Sequence, residues 1–111
     1  MIEIREITTQ DEFNSFIGMN KDNLHVIKIG AEWCGPCNHL SETIKNLDSN
    51  KVNNAIFAEI DVEGDETEDI INEYKIKNIP VILFFKDNEL VHKTVGSLNS
   101  DTLYNIINEY R

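Results

Sequence analysis

The stretch Trp33-Cys34-Gly35-Pro36-Cys37 contains the only two cysteines of the chain. It lies between segments of different periodicity. Before it, His25-Val26-Ile27-Lys28-Ile29 reads as a strand; after it, Leu40, Ile44 and Leu47 repeat with helical spacing. Two cysteines at i and i+3 of a helix share one face, and a disulfide requires Cβ atoms only about 4 Å apart. Cys34 then falls at a strand-to-helix junction, where unpaired amides and the helix dipole favour a thiolate. Cys37 falls one turn in and is expected to be more buried. Pro36 suits a first helical turn, where its missing N–H costs nothing, and Gly35 leaves room for a partner's backbone.

The same spacing occurs in zinc sites, but zinc would need two further ligands. His39 is nearby, whereas His25 and His92 are distant in sequence. Haem attachment requires a histidine directly after the second cysteine, and this chain has Asn38 there. A structural staple closing so short a loop would remove little entropy from the unfolded chain. Dithiol–disulfide chemistry needs an accessible thiolate and a second thiol within reach of the intermediate. Cys34 fits the first role and Cys37 the second.

Along the rest of the chain, Ile2, Ile4 and Ile7 give a short, imperfect strand signal. Thr9 and Glu12 have the spacing of a capping box, and Phe13, Phe16 and Ile17 then share a helical face. Residues 18–23 form a turn-rich exit. Ala55 to Asp61 reads as a strand, and the acidic stretch Glu63 to Glu68, with Gly64, as a solvated loop. Ile70, Ile71 and Tyr74 mark a short helix. Val81 to Phe85 is a strong strand, and Leu90 to Val95 completes a hairpin across a turn at residues 86–89. Asn88 in that turn tolerates the left-handed conformation. Asn99 or Ser100 can cap a last helix with Leu103, Ile106, Ile107 and Tyr110 on its apolar side. Strand–helix alternation followed by a hairpin implies an α/β fold with parallel crossovers and an antiparallel edge.

The Trp33–Cys37 pentapeptide, preceded by Ala31-Glu32 and accompanied by Ile79-Pro80 and Gly96, resembles the thioredoxin family. The resemblance spans about residues 8 to 110 and implies a thioredoxin fold, a central five-stranded mixed sheet flanked by four helices, in a single domain over residues 1–111. It implies a protein-disulfide reductase with Trp33 at the rim of the substrate site. It also implies a cis Ile79–Pro80 bond that sets the Ile79 backbone beside Cys34 to pair with an extended peptide, and Gly96 beside the same groove. Recharging would come from a flavin-dependent thioredoxin reductase using NADPH, with no cofactor bound to this chain. Two departures stand out. The position where family members often carry a kinking proline is Glu42. The family's buried aspartate and its partner lysine on the next strand correspond here to Lys28 and Glu59, the same pair with signs exchanged. A buried charge is costly unless paired, so Lys28 and Glu59 are expected to meet behind Cys37, with Glu59 serving as the proton relay and Lys28 favouring ionised thiols.

Twenty acidic and ten basic residues give a formal charge of −10. That disfavours non-specific binding to nucleic acid or anionic membranes; the resemblance implies disulfide-containing proteins as substrates. No apolar run approaches the roughly 18 residues of a membrane span, and no basic-then-apolar leader is evident. A cytoplasmic monomer is the expectation. Two other functions remain compatible with these residues. One is a non-catalytic subunit that keeps the fold for docking. The other is a thiol oxidase, although Gly35-Pro36 between the cysteines resembles the reductases.

Overall fold

In the computed structural model, which describes residues 1–111, the elements follow in the order β1 (Ile4–Glu6), α1 (Gln10–Gly18), β2 (Leu24–Gly30), α2 (Gly35–Lys45), β3 (Ala55–Asp61), α3 (Glu68–Glu73), β4 (Val81–Lys86), β5 (Glu89–Val95) and α4 (Ser100–Tyr110). The five strands form one mixed sheet in the order β1-β3-β2-β4-β5. β1 and β2 run parallel to β3, while β4 is antiparallel to both β2 and β5. This is the thioredoxin fold expected from the resemblance, with two helices on each face of the sheet.

Alternation along the central strands divides the core into two layers. Leu24 and Val26 of β2, Phe57 of β3 and Ile82 and Phe84 of β4 pack with Leu40 and Ile44 of α2 and Leu103 and Ile107 of α4. Ile27 and Ile29, Ala58 and Ile60, and Leu83 and Phe85 face the other way, against Phe13 and Phe16 of α1 and Ile70 of α3. β2 is buried along its whole length because it is central and covered on both sides.

The helix ends are set by local chemistry. Thr9 caps α1 by accepting from the Glu12 N–H, 3.1 Å away. Glu12 reaches back one residue further than a standard capping box, accepting from the Thr8 N–H and hydroxyl. Those bonds hold its carboxyl below the usual glutamate value. At α4 the cap is Asn99, whose Oδ1 accepts from the Thr102 N–H. The β4–β5 turn places both Asp87 and Asn88 at positive φ (52° and 66°), the pair a tight two-residue hairpin demands. α2 begins at Gly35 with Cys34 as its cap, at the expected junction, and one boundary differs from the periodicity reading: Leu47 lies beyond the end of α2, buried in the following turn. α2 has no break at Glu42.

Candidate active site

β2 delivers the chain to the carboxyl end of the parallel strands, and four residues separate its end from the start of α2. Cys34 is the residue capping α2, with φ −89° and ψ 108°, and its Sγ accepts the Cys37 N–H at 3.2 Å. Cys34 and Cys37 are joined as a disulfide, with Cα atoms 5.2 Å apart. Pro36 lies in the first turn, where no intrahelical donor is required of it. Cys37 is fully buried and Cys34 is 6% exposed, so the outer sulfur is the one a substrate can reach. On reduction, the amides of the first helical turn point at Cys34 and favour its thiolate.

The rim is built from three separate segments. Trp33 is 69% exposed, and its indole N–H donates to Glu63 Oε1 at 3.0 Å. Glu63 belongs to the acidic loop after β3, so that loop is tied to the site. The periodicity of the sequence carries no signal for this bond, because the two residues are thirty positions apart. Ile79–Pro80 is cis, and Ile79 packs against the cluster of Ala31, Cys34 and Cys37. Gly96 has φ +97° and donates its N–H to the Pro80 carbonyl at 2.7 Å. No atom crowds a Cβ at Gly96, so the glycine is required by backbone conformation rather than by close approach. Gly35 likewise faces open space, in front of the disulfide.

Behind the disulfide the packing is tight. A Cβ on Gly30 would lie 2.8 Å from Cys37 Sγ and 2.9 Å from Cys37 Cβ, and 3.7 Å from Lys28 Cε. Gly30 therefore lets α2 settle on the end of β2, with Lys28 as the next side chain on that face. Lys28 and Glu59 are register partners on β2 and β3. Lys28 Nζ is 3.2 Å from Glu59 Oε2 and donates to Ser41 Oγ at 2.5 Å. The lysine side chain is 8% exposed and the glutamate 37%. The cation is thus the inner member of the pair. The carboxylate faces a groove of about 890 Å³ bounded by β1, β3, α2 and the acidic loop. Gly30 and Ser41 are not evident from sequence. Gly30 resembles any strand-terminal glycine, and Ser41 any exposed helix serine, until α2 is packed on the sheet.

The histidines are dispersed. His39 is exposed on α2. His25 is fully buried at the opposite end of β2 from Gly30, where Nε2 bonds the Met19 carbonyl at 2.6 Å and the ring packs edge-on against Phe16.

Comparison with known proteins agrees with this geometry. The thioredoxin family pattern matches residues 4–109. Human thioredoxin is 33% identical over 106 residues, covering 96% of this chain and 97% of its own length. Thioredoxin of Chlamydia caviae is 30% identical over 105 residues, covering 95% and 97%. The crystal structure of Fasciola hepatica thioredoxin superposes with a TM-score of 0.84 at 28% identity, covering 97% of this chain and all of that one.

Proposed function

From the premise that this chain belongs to the thioredoxin family, we propose that its Cys34–Cys37 pair acts as a reductase of protein disulfides. The chain is a thiol–disulfide oxidoreductase of that family, and its redox centre is the Cys34–Cys37 disulfide. The observation that supports the direction of attack is the placement of Cys34 as the capping residue of α2, outside a fully buried Cys37. The Cys34 thiolate attacks one sulfur of a substrate disulfide. The substrate's other sulfur leaves as a thiolate, and a mixed disulfide forms. Cys37 then loses its proton and attacks Cys34 Sγ, which releases the second substrate thiolate. Two electrons have passed to the substrate, and the chain is left oxidised.

Glu59 is the proposed acceptor of the Cys37 proton, through water in the groove behind the site. Lys28, the inner member of the pair, favours the ionised thiols. Trp33, Gly35, Pro36, Ile79, Pro80 and Gly96 form the proposed substrate surface. The open space at Gly35 and Gly96 suits an extended peptide passing over Cys34.

A further two electrons must return the disulfide to the dithiol. We place a flavin-dependent thioredoxin reductase, drawing on NADPH, as their source, and the cytoplasm as the compartment. Support for the compartment is that a reducing cycle runs where thiols are kept reduced. Acceleration of insulin reduction by dithiothreitol tests the reductase reading. A docking subunit without catalysis would add no rate, and a thiol oxidase would equilibrate at a more oxidising potential.

A further inference from the structure

We infer that Ser41 is a positioning residue that holds the Lys28 ammonium beneath Cys37, and that this held charge biases the Cys34–Cys37 couple toward its reduced form. The inference rests on the dithiol cycle proposed above. Ser41 follows Cys37 by four residues on α2, so both side chains lie on one helix face. That face meets the sheet where Gly30 and Lys28 stand in succession on β2. A lysine stem is long and tends to carry its ammonium to water. Water is available here, in the groove that Lys28 borders. The ammonium nevertheless stays inside, 2.5 Å from Ser41 Oγ and 3.2 Å from Glu59 Oε2. Of these two partners, Ser41 is the uncharged one on the helix of the cysteines. Glu59 sits on the outer strand side and is half-exposed.

The consequence follows from charge balance. Reduction by glutathione consumes the neutral protein disulfide and two glutathione thiols. It yields the protein dithiol and one glutathione disulfide, with the two protons retained on the cysteines or released to solvent. The disulfide carries no charge, whereas a reduced pair carries a thiolate. A fixed cation beside Cys37 therefore stabilises the product of reduction and not the reactant. The other charges near this face, Glu6 of β1, Glu32 before α2, Glu42 and Lys45 of α2, Asp61 of β3 and Asp65 and Glu66 of the acidic loop, line the open groove, where water screens them. Lys28 is the charge held out of that solvent, and only Glu59 opposes it at close range.

The test is the equilibrium constant between the full chain and glutathione buffers for wild type, Lys28→Met, Ser41→Ala, Ser41→Thr and Glu59→Gln. Lys28→Met is expected to lower the constant for reduction roughly tenfold, and Ser41→Ala roughly threefold as the ammonium swings toward water. Ser41→Thr, which keeps the hydroxyl, restores the wild-type value. Glu59→Gln removes the opposing charge and moves the constant the other way. Opposite signs for Lys28→Met and Glu59→Gln distinguish a charge effect from a general loosening of the site. An unchanged constant in either Lys28→Met or Ser41→Ala overturns the inference. So does a rise in either, or a fall in Glu59→Gln equal to that in Lys28→Met. The equilibrium is read without a protein substrate, so failure of wild type to reduce insulin would count against the reductase reading and leave this measurement standing.

Discussion

Gly30 and Cys37 touch so closely that no other residue fits at the end of β2: a Cβ there would be 2.8 Å from the buried sulfur. Neither partner can yield cheaply. Gly30 is tied into the sheet by its carbonyl, which accepts the Val62 N–H at 2.9 Å. Cys37 Cβ is fixed to the first turn of α2. Gly30→Ala is expected to lower stability by about 1–3 kcal/mol, the usual cost of overpacking. It is also expected to displace α2 outward and slow insulin reduction. Denaturant titration and the insulin assay check this; an alanine variant with wild-type stability and rate would show that α2 shifts freely over the sheet.

The unequal burial of the two sulfurs predicts which one a substrate captures. Cys37→Ser is expected to accumulate mixed disulfides through Cys34, since attack proceeds and resolution cannot. Cys34→Ser is expected to trap none, because Cys37 is fully buried. Mass spectrometry of adducts formed with a disulfide peptide distinguishes the two variants.

Glu59 is expected to influence the second step rather than the first. Glu59→Gln should slow resolution of a Cys34 mixed disulfide by about tenfold, below the ~10²–10⁴ typical of a directly positioned base, because groove water can take part of the role. Formation of the mixed disulfide should not slow. Stopped-flow measurement of the two phases is the check, and equal resolution rates in wild type and Glu59→Gln would remove Glu59 from the mechanism.

His25 makes stability depend on pH from the far end of the sheet. Burial, the dominant cause, lowers its pKa from the ordinary 6.5, and the bond to the Met19 carbonyl only partly offsets this. The unfolded chain then binds the proton more readily than the folded one. Stability from this group is complete above about pH 6.5 and declines as the pH falls through that value toward the lower folded pKa. His25→Phe, which keeps an aromatic against Phe16, should flatten this part of the curve. Urea denaturation midpoints across the range provide the measurement; a wild-type curve that rises toward acid would contradict the assignment.

Much of this architecture is legible along the chain because it depends on near neighbours. The cysteine spacing, the apolar run of β2, the caps at Thr9 and Asn99 and the left-handed turn at Asn88 are each set by a few consecutive residues. Each appears at its expected place. The strand-then-helix change of period around Cys34 is enough to give the α/β class and the junction at which the cysteines sit. The pairing of Lys28 with Glu59 could be anticipated because the two stand where the family resemblance places a buried charged pair, and because a charge in an otherwise apolar strand needs a partner.

What could not be read there is set by contacts between segments far apart in the chain. Which end of the ion pair lies inside depends on β2 being central and β3 lying nearer the open groove. The sequence alone treats Lys28 and Glu59 as equivalent strand residues. Ser41, Gly30 and Glu63 likewise acquire their roles only once α2 and the acidic loop are folded against the strands. A hydroxyl becomes an ammonium's partner, an absent side chain becomes room for a sulfur, and a solvated carboxylate becomes the anchor of an indole. Local propensity cannot encode such roles, because each belongs to a distance between two elements rather than to the conformation of one.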